Sequence, residues 1–493
     1  MSFEFDSVTR RRLGYKLIDH IDSYFSSLPN RRVQLPLDER TFTDLHDRLP
    51  ELGEDAEQVL TDLCVELTEN GFHVPAANYF GLMNPTPTYM AVLAEALVAA
   101  LNPQLASLAR SQLASKIEKE TVRWLGERVG WPGTFDGTFT SGGNEANFSA
   151  LGLALAAHFP ACIEEGLSSI GVKPVFYASS ESHHSLDKSA GLLGLGRKAV
   201  RRIGVNERLQ LDPAKLEEQI MADKAAGYQP FCIVATAGTT NSGAIDDIVA
   251  LAGIAQRHQL WLHLDGAYGA AAIFSNQHRD LVCGIELADS ITIDPHKWLA
   301  MPFAAGVVLT KHPELLRKTF GVTTPYMPKL APGQPGKAPA LADNFQVSAQ
   351  WSRIMNSLKL WLTLRVHGRQ AYEELIDRQM KLAGFFAHWV RSSDYFELAA
   401  PQVLPILNFR AKLTGATEQE IQAANEAIVQ YVTRDGRRWI SSTIVNGRSV
   451  IRMMVISYLT GHQQLEELII ALTDAARNFS GPRGAQSNMG VTR

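Results

Sequence analysis

Lys297 ends the run Ser290-Ile-Thr-Ile-Asp-Pro-His-Lys, and a lysine at the end of an apolar strand offers an amine that can capture an aldehyde. Ser290 to Asp294 alternates polar and β-branched residues as a strand does. Pro295 cannot continue the ladder, so the chain turns and presents His296 and Lys297 at a strand end, where α/β sheets bind their ligands. Leu260-Trp-Leu-His-Leu-Asp-Gly-Ala-Tyr-Gly269 reads as a second strand, and its terminal carboxylate, Asp265, should share that sheet edge. Alone, Asp265 could equally be a salt-bridge partner or a turn cap. Thr140-Ser-Gly-Gly-Asn-Glu-Ala-Asn147 opens a helix that is apolar nearly all round (Phe148, Leu151, Leu153, Leu155) and must therefore be buried. A buried helix start has orphan amides, and glycines let an anion such as phosphate approach them. A Gly-Gly pair by itself is also an ordinary tight turn. His183 and His184 follow a third strand end and suggest either a metal site or an aromatic surface. Adjacent histidines point apart and no cysteine or third histidine recurs at ligand spacing, so no metal is expected. Gly191-Leu-Leu-Gly-Leu-Gly196 runs in the order GxxGxG and lacks the preceding strand and later acid of a dinucleotide loop.

An anion cradle, a carboxylate, a flat histidine and a lysine at neighbouring strand ends match the needs of pyridoxal 5'-phosphate. The amides of Gly143 and Asn144 would hold the phosphate, and Lys297 would bond the aldehyde. Asp265 would keep the ring nitrogen protonated, and His184 would cover one face of the ring.

The elements that must position these groups follow from the pattern of the whole chain. At 493 residues, 45% apolar and 20% charged, it is long enough for two or three domains and has no disordered or fibrous composition. Lys plus Arg is 47 against 51 Asp plus Glu, a net −4, so no broad positive field for nucleic acid or acidic lipid is implied. Cys64, Cys162, Cys232 and Cys283 show no paired spacing and read as buried free thiols. With no apolar leader and no window of about 18 apolar residues, an unanchored cytoplasmic protein is expected.

Residues 1–83 read as helices too thin for a core of their own, resting on a partner subunit. Residues 84–365 read as a large domain in which helices alternate with the apolar runs Val175–Ser179, Phe231–Thr236, Leu260–Asp265, Ser290–Asp294 and Gly306–Thr310, hence an α/β fold with a mostly parallel sheet. Within it, the Pro- and Gly-rich stretch 321–350 reads as a mobile loop. Residues 366–480 form a small α+β domain with strands at Ile406–Phe409 and Ser449–Ile456, and 481–493 a disordered tail.

The segments MNPTP (83–87), TSGGNEAN, SHHSLDKSAGL, ATAGTTNSGAIDD (235–247), WLHLDGAYG, ADSITIDPHKW and SLKLWLTLRVHG together resemble, in order and over about Leu13 to Arg477, the group II pyridoxal-phosphate-dependent amino acid decarboxylases. The resemblance implies a fold type I enzyme, aspartate aminotransferase-like, working as a homodimer with shared active sites. It implies Lys297 as the Schiff-base lysine, Asp265 as the pyridinium partner and His184 as the stacking histidine. Ala267 would back the cofactor, Thr240 would lie near cofactor and substrate carboxylate, and His296 and Ser185 would lie near the phosphate. The implied reaction releases CO₂ from an L-amino acid and returns a proton to Cα from a loop tyrosine, here Tyr326.

Two departures stand out. The family's loop tyrosine falls at Asn344 or Phe345, and in plant relatives a Phe there accompanies aldehyde formation. Asp294 stands where aromatic decarboxylases often carry Asn, so a compensating donor such as His296 is expected. Alternatives are an aldehyde synthase, an aminotransferase using Arg452, and an inactive scaffold. Tyr79, Phe80, Leu82, Leu101 and Asn102 are candidates for the substrate pocket or, for the aromatics, for core. The stretch has no Arg or Lys, which favours an aromatic or apolar substrate, although Lys329 or Lys337 of the loop could supply a cation.

Overall fold

In a computed structural model of the chain, which describes residues 3–36, 49–326 and 342–480, the alternating apolar runs fold as a seven-stranded sheet. Its strands are β1 (Asp136–Thr140), β2 (Lys173–Ser179), β3 (Val200–Ile203), β4 (Tyr228–Thr236), β5 (Trp261–Asp265), β6 (Ser290–Ile293) and β7 (Gly306–Thr310). The spatial order is β1-β7-β6-β5-β4-β2-β3. The pairings β2/β3, β2/β4, β4/β5 and β5/β6 are parallel, and β7 runs antiparallel to both β6 and β1. Two reversals leave β1 parallel to β6, so β1, β2, β4, β5 and β6 all end at one edge. β5 is buried at every position, as a parallel strand covered on both faces must be, which is why its sequence is a nearly unbroken apolar run.

Four helices precede the sheet in sequence: α1 (Ser7–Ser27), α2 (Ala56–Glu69), α3 (Tyr89–Leu101) and α4 (Gln112–Val129); a fifth, α5 (Gly143–His158), follows β1. As its composition requires, α5 is buried from Ala146 to Ala156 apart from Phe148. Leu151, Leu153 and Leu155 join Phe176, Phe231 and Trp261 of the sheet in one apolar cluster. The rings of Phe176 and Phe231 meet edge to face at 5.8 Å, and burying each is worth roughly 1.5–3 kcal/mol. β1 is absent from the strand reading because Asp136-Gly-Thr lacks an apolar run. Gly137 is required there, since a Cβ would strike the Val308 carbonyl of β7.

Two compact units are present. The larger takes in residues 87–387 and 398–408 and holds the seven-stranded sheet; the other takes in the described parts of 1–86 and 409–493 together with 388–397. The long helix Ser357–Ser392 is broken by Gly368, at φ 73°. In the second unit α1 packs on α2, yet no residue of α1 is buried. The strands Ser441–Val445 and Arg448–Met454 form an antiparallel hairpin around Asn446-Gly447, both at positive φ, the signature of a two-residue primed turn. The strand Ile406–Ala411 belongs to the same four-stranded sheet. Of the four cysteines only Cys232 is buried; Cys64 and Cys162 are half-buried and Cys283 is exposed, so the expectation of four buried thiols is corrected.

Candidate active site

Asp265 ends β5 opposite Thr236 of β4 and Thr292 of β6. It is 6% exposed; its Oδ2 accepts from Asn147 Nδ2 at 2.8 Å and its Oδ1 from the Ala267 amide at 3.2 Å. The Ala267 carbonyl in turn accepts the Asp294 amide at 3.1 Å, tying the turn after β6 to the end of β5. From that turn Lys297 reaches back, with Nζ 3.2 Å from Asp294 Oδ2. The Asp294 carboxylate is buried, and its Oδ1 has no hydrogen-bond partner.

The start of α5 lies against this carboxylate. Gly142, the N-cap, sits at φ 147°, and Gly306 of β7 passes so close that a Cβ on it would come within 2.5 Å of the Gly142 carbonyl carbon. A Cβ on Gly143 would come within 2.6 Å of Asp294 Oδ2. Neither position admits a side chain. His296 Nδ1 is 2.6 Å from the Ala305 carbonyl and 3.2 Å from the Ala305 amide; the shorter contact favours N–H on Nδ1, which leaves Nε2 of a neutral ring as an acceptor. Burial and the Lys297 ammonium push His296 towards that neutral form, against the pull of Asp294. Its Nε2 is 3.8 Å from Asp294, so Lys297, not His296, balances the carboxylate.

The histidine pair divides differently from the expectation. His184 is the N-cap of the helix Ser185–Leu192; its side chain is 93% exposed and its Nδ1 faces Asp187, 3.2 Å away, which Arg202 also holds at 2.7 Å. His184 therefore cannot cover a ring set between Asp265 and Lys297. His183 is the neighbour of those groups: its Nδ1 accepts the Ser185 amide at 3.1 Å. Although the residue is solvent-exposed, the protein packed around its ring lowers its pKa, as does Lys297, while Asp265 and Asp294 act in the opposite sense. The i,i+3 spacing of His184 and Asp187 at a helix start is the one sequence signal that could have separated the two. Ser185, expected near the phosphate, instead accepts from Asn147 at 3.2 Å, on the Asp265 side. Thr240 is half-buried in the turn after β4, and Asn144 is exposed in the first turn of α5.

The family model for the pyridoxal-dependent decarboxylase conserved domain matches residues 34–412. The chain belongs to that family. An aromatic-L-amino-acid decarboxylase of Bacillus atrophaeus is 30% identical over 473 residues, 95% of this chain and 96% of its own length. The cysteine sulfinic acid decarboxylase of Homo sapiens is 37% identical over 284 residues, 57% of this chain and 56% of its own. Among solved structures, that of Oryza sativa TDC with PLP and tryptamine has a TM-score of 0.90 at 24% identity, covering 98% of this chain and 100% of that one, a likeness of fold. The fold is type I and the protein is a pyridoxal-phosphate-dependent amino acid decarboxylase, a lyase.

The residues present fit the cofactor. Asp265 uses two acceptor positions within the protein and keeps others for a ring N–H. The glycine-lined start of α5 offers amides to a phosphate where a side chain would close the approach. Bound pyridoxal phosphate supplies an aldehyde for an amine and, with its ring nitrogen protonated, a sink for the electron pair that CO₂ leaves behind. Lys297 would present the amine and Asp265 would hold the ring-nitrogen proton, with His183, which interacts electrostatically with both, beside them. Asp294 is the discordant group, a carboxylate at the phosphate end.

Other expectations are corrected by position. Tyr326 is 69% exposed, with its ring 6.1 Å from that of Trp351, and is not joined to Lys297. Asn344 and Phe345 are buried; Asn344 Nδ2 donates to the Leu105 carbonyl at 2.8 Å and to Ser115 at 3.0 Å. Lys329 and Lys337 lie outside the described residues. Tyr79 and Phe80 are core: Tyr79 stacks on Trp439 at 5.5 Å and accepts the Leu82 amide at 2.9 Å. Leu82 and Leu101 are exposed, and Asn102 caps α3 in the left-handed conformation. Arg452 is a buried strand arginine, donating to the Gly81 carbonyl at 2.7 Å.

Proposed function

We propose that this decarboxylase releases CO₂ from an L-amino acid with an aromatic or apolar side chain, yielding the amine, and that it works in the cytoplasm as a homodimer with shared active sites. The observation that carries the decarboxylase reading is the convergence of Lys297, Asp265 and His183 at the ends of β6, β5 and β2. An apolar substrate is supported by the run from Asn70 to Ala109, which has no Arg or Lys to hold a distal carboxylate, and by similarity to the Bacillus aromatic decarboxylase over nearly the whole chain. The higher identity to the human cysteine sulfinic acid decarboxylase over a shorter stretch favours a second reading, an acidic substrate. The dimer is supported by α1, which buries nothing while exposing Val8, Tyr15, Leu17 and Ile18. Free cysteines accord with a reducing compartment.

One incubation series tests the reading. Aromatic amino acids, cysteine sulfinate, glutamate and aspartate are each assayed for CO₂, amine, aldehyde, ammonia and peroxide. Release of CO₂ with stoichiometric amine from an aromatic substrate, abolished in Lys297→Ala, is expected. Preference for an acidic substrate would establish the second reading, and aldehyde with peroxide would make the enzyme an aldehyde synthase.

A further inference from the structure

Behind Asp265 lies a buried run of polar side chains with no part in the chemistry above. Asn147 of α5 places Nδ2 2.8 Å from Asp265 Oδ2, and its Oδ1 3.0 Å from His263 Nε2 and 2.8 Å from Thr292 Oγ1. His263 Nδ1 is 2.9 Å from Ser290 Oγ, which lies 2.9 Å from Trp261 Nε1. All of these residues are buried.

The donor directions follow by elimination. An ionised carboxylate only accepts, so Asn147 turns its NH₂ to Asp265 and its carbonyl to His263 and Thr292. That carbonyl only accepts, which puts the His263 hydrogen on Nε2 and makes Nδ1 an acceptor. The Trp261 N–H only donates, so Ser290 Oγ receives it and aims its own hydrogen at His263 Nδ1. Every bond in the run, from Trp261 through Ser290, His263 and Asn147, thus points towards Asp265, and such chains strengthen each member. The Ser290 carbonyl, 3.1 Å from His263 Nδ1, would suit a doubly protonated ring, but burial pushes the pKa of His263 down to about 4, against the pull of Asp265. A neutral His263 relays polarisation without competing for the charge on Asp265.

We propose that Asn147 and His263 are positioning residues that act through Asp265: their one-way hydrogen-bond run holds the carboxylate oriented towards the cofactor ring nitrogen, and so helps to hold the proton there. This deepens the cofactor reading given above and rests on it. The other titratable groups about the ring position, His183, Lys297 and Asp294, remain in place in the variants that test it.

Holoenzyme is reconstituted with ¹⁵N-labelled pyridoxal phosphate in wild type, Asn147→Leu and His263→Phe, and the ring-nitrogen resonance is followed against pH, with kcat and KM measured in parallel. The wild-type nitrogen should stay protonated into the alkaline range, and the variants should lose that proton at lower pH, Asn147→Leu by about one unit or more and His263→Phe by less. kcat should fall roughly ten- to hundredfold in Asn147→Leu, as loss of a hydrogen bond to a charged group implies, with KM nearly unchanged. A loaded variant whose nitrogen titrates as wild type overturns the proposal, whatever its activity. If Asn147→Leu does not fold, His263→Phe decides by the same readout. Failure of wild type itself to form an adduct at Lys297 would instead defeat the cofactor reading.

Discussion

With 93% of its side chain in solvent and an Asp187 carboxylate as its neighbour, His184 can be removed without touching the site. His184→Ala should leave kcat within about twofold, as is usual for a surface change. His183→Ala should weaken cofactor binding roughly three- to tenfold, the worth of an aromatic contact, and lower kcat. The reverse ranking in a fluorescence titration and a kinetic assay would restore His184 to the site. Asp294 gives a second residue-scale prediction. Its carboxylate lies at the glycine-lined start of α5 and pairs with Lys297. Asp294→Asn removes a charge that repels phosphate and frees the amine from its ion pair, and both effects favour capture of the aldehyde. At an effective dielectric typical of proteins the repulsion is worth a few kcal/mol at ~5 Å, so cofactor affinity should rise by at least roughly tenfold. Unchanged or weaker affinity would show that the carboxylate does not oppose the phosphate.

At the scale of elements, β1 and α5 show how a turn and a helix share one geometric demand. Gly143 faces Asp294 with no room for a methyl group, whereas a Cβ on Gly152, two turns further along α5, meets nothing nearer than Thr319 Cγ2 at 3.6 Å. Gly143→Ala should therefore cost cofactor binding, and Gly152→Ala should stabilise the protein by roughly 0.5–1 kcal/mol by lowering the entropy of the unfolded chain. Denaturant midpoints and cofactor titrations of the two variants should move in these different senses. A stabilised Gly143→Ala with normal cofactor affinity would mean that the turn has room it does not show. The strand periodicity of β5 made Asp265 legible, and it also places His263 two residues earlier on the same face. Asn147 could be anticipated from Gly143 by its i+4 spacing along α5. What neither spacing contains is that α5 lies across the sheet closely enough for Asn147 to bridge them.

For the molecule as a whole, burial makes stability depend on pH in two opposed ways. His263 titrates near 4 when folded instead of 6.5, so the unfolded chain binds more protons between those values. Its stabilising contribution is full above pH 6.5 and is lost as pH falls towards 4. Asp246, raised to about 6 by burial against hydrogen bonds from the Leu211 and Thr236 amides, is protonated in the folded chain and ionised in the unfolded one between 3.8 and 6. Its contribution is present at low pH and is lost as pH rises through that window. Replacing His263 by Gln leaves the second slope and removes the first, so the difference in unfolding free energy between wild type and His263→Gln should change with pH between 4 and 6.5 and be flat above. A pH-independent difference would show that His263 is not desolvated.

The order of apolar runs, the glycines before α5 and the residues that close β5 and β6 were enough to place Lys297, Asp265 and the glycine-lined start of α5 on one sheet edge, because strand periodicity and strand ends are local properties of the chain. Long-range packing decided most of the rest. Whether His183 or His184 faces the ring depends on how the turn after β2 enters its helix, Tyr79 and Phe80 became core because Trp439 lies against Tyr79, and β1 became a strand because β7 was there to pair with it. The last two turn on partners far away in sequence, which no local pattern specifies, whereas the histidine pair turns on a local helix start that the His184 and Asp187 spacing marks.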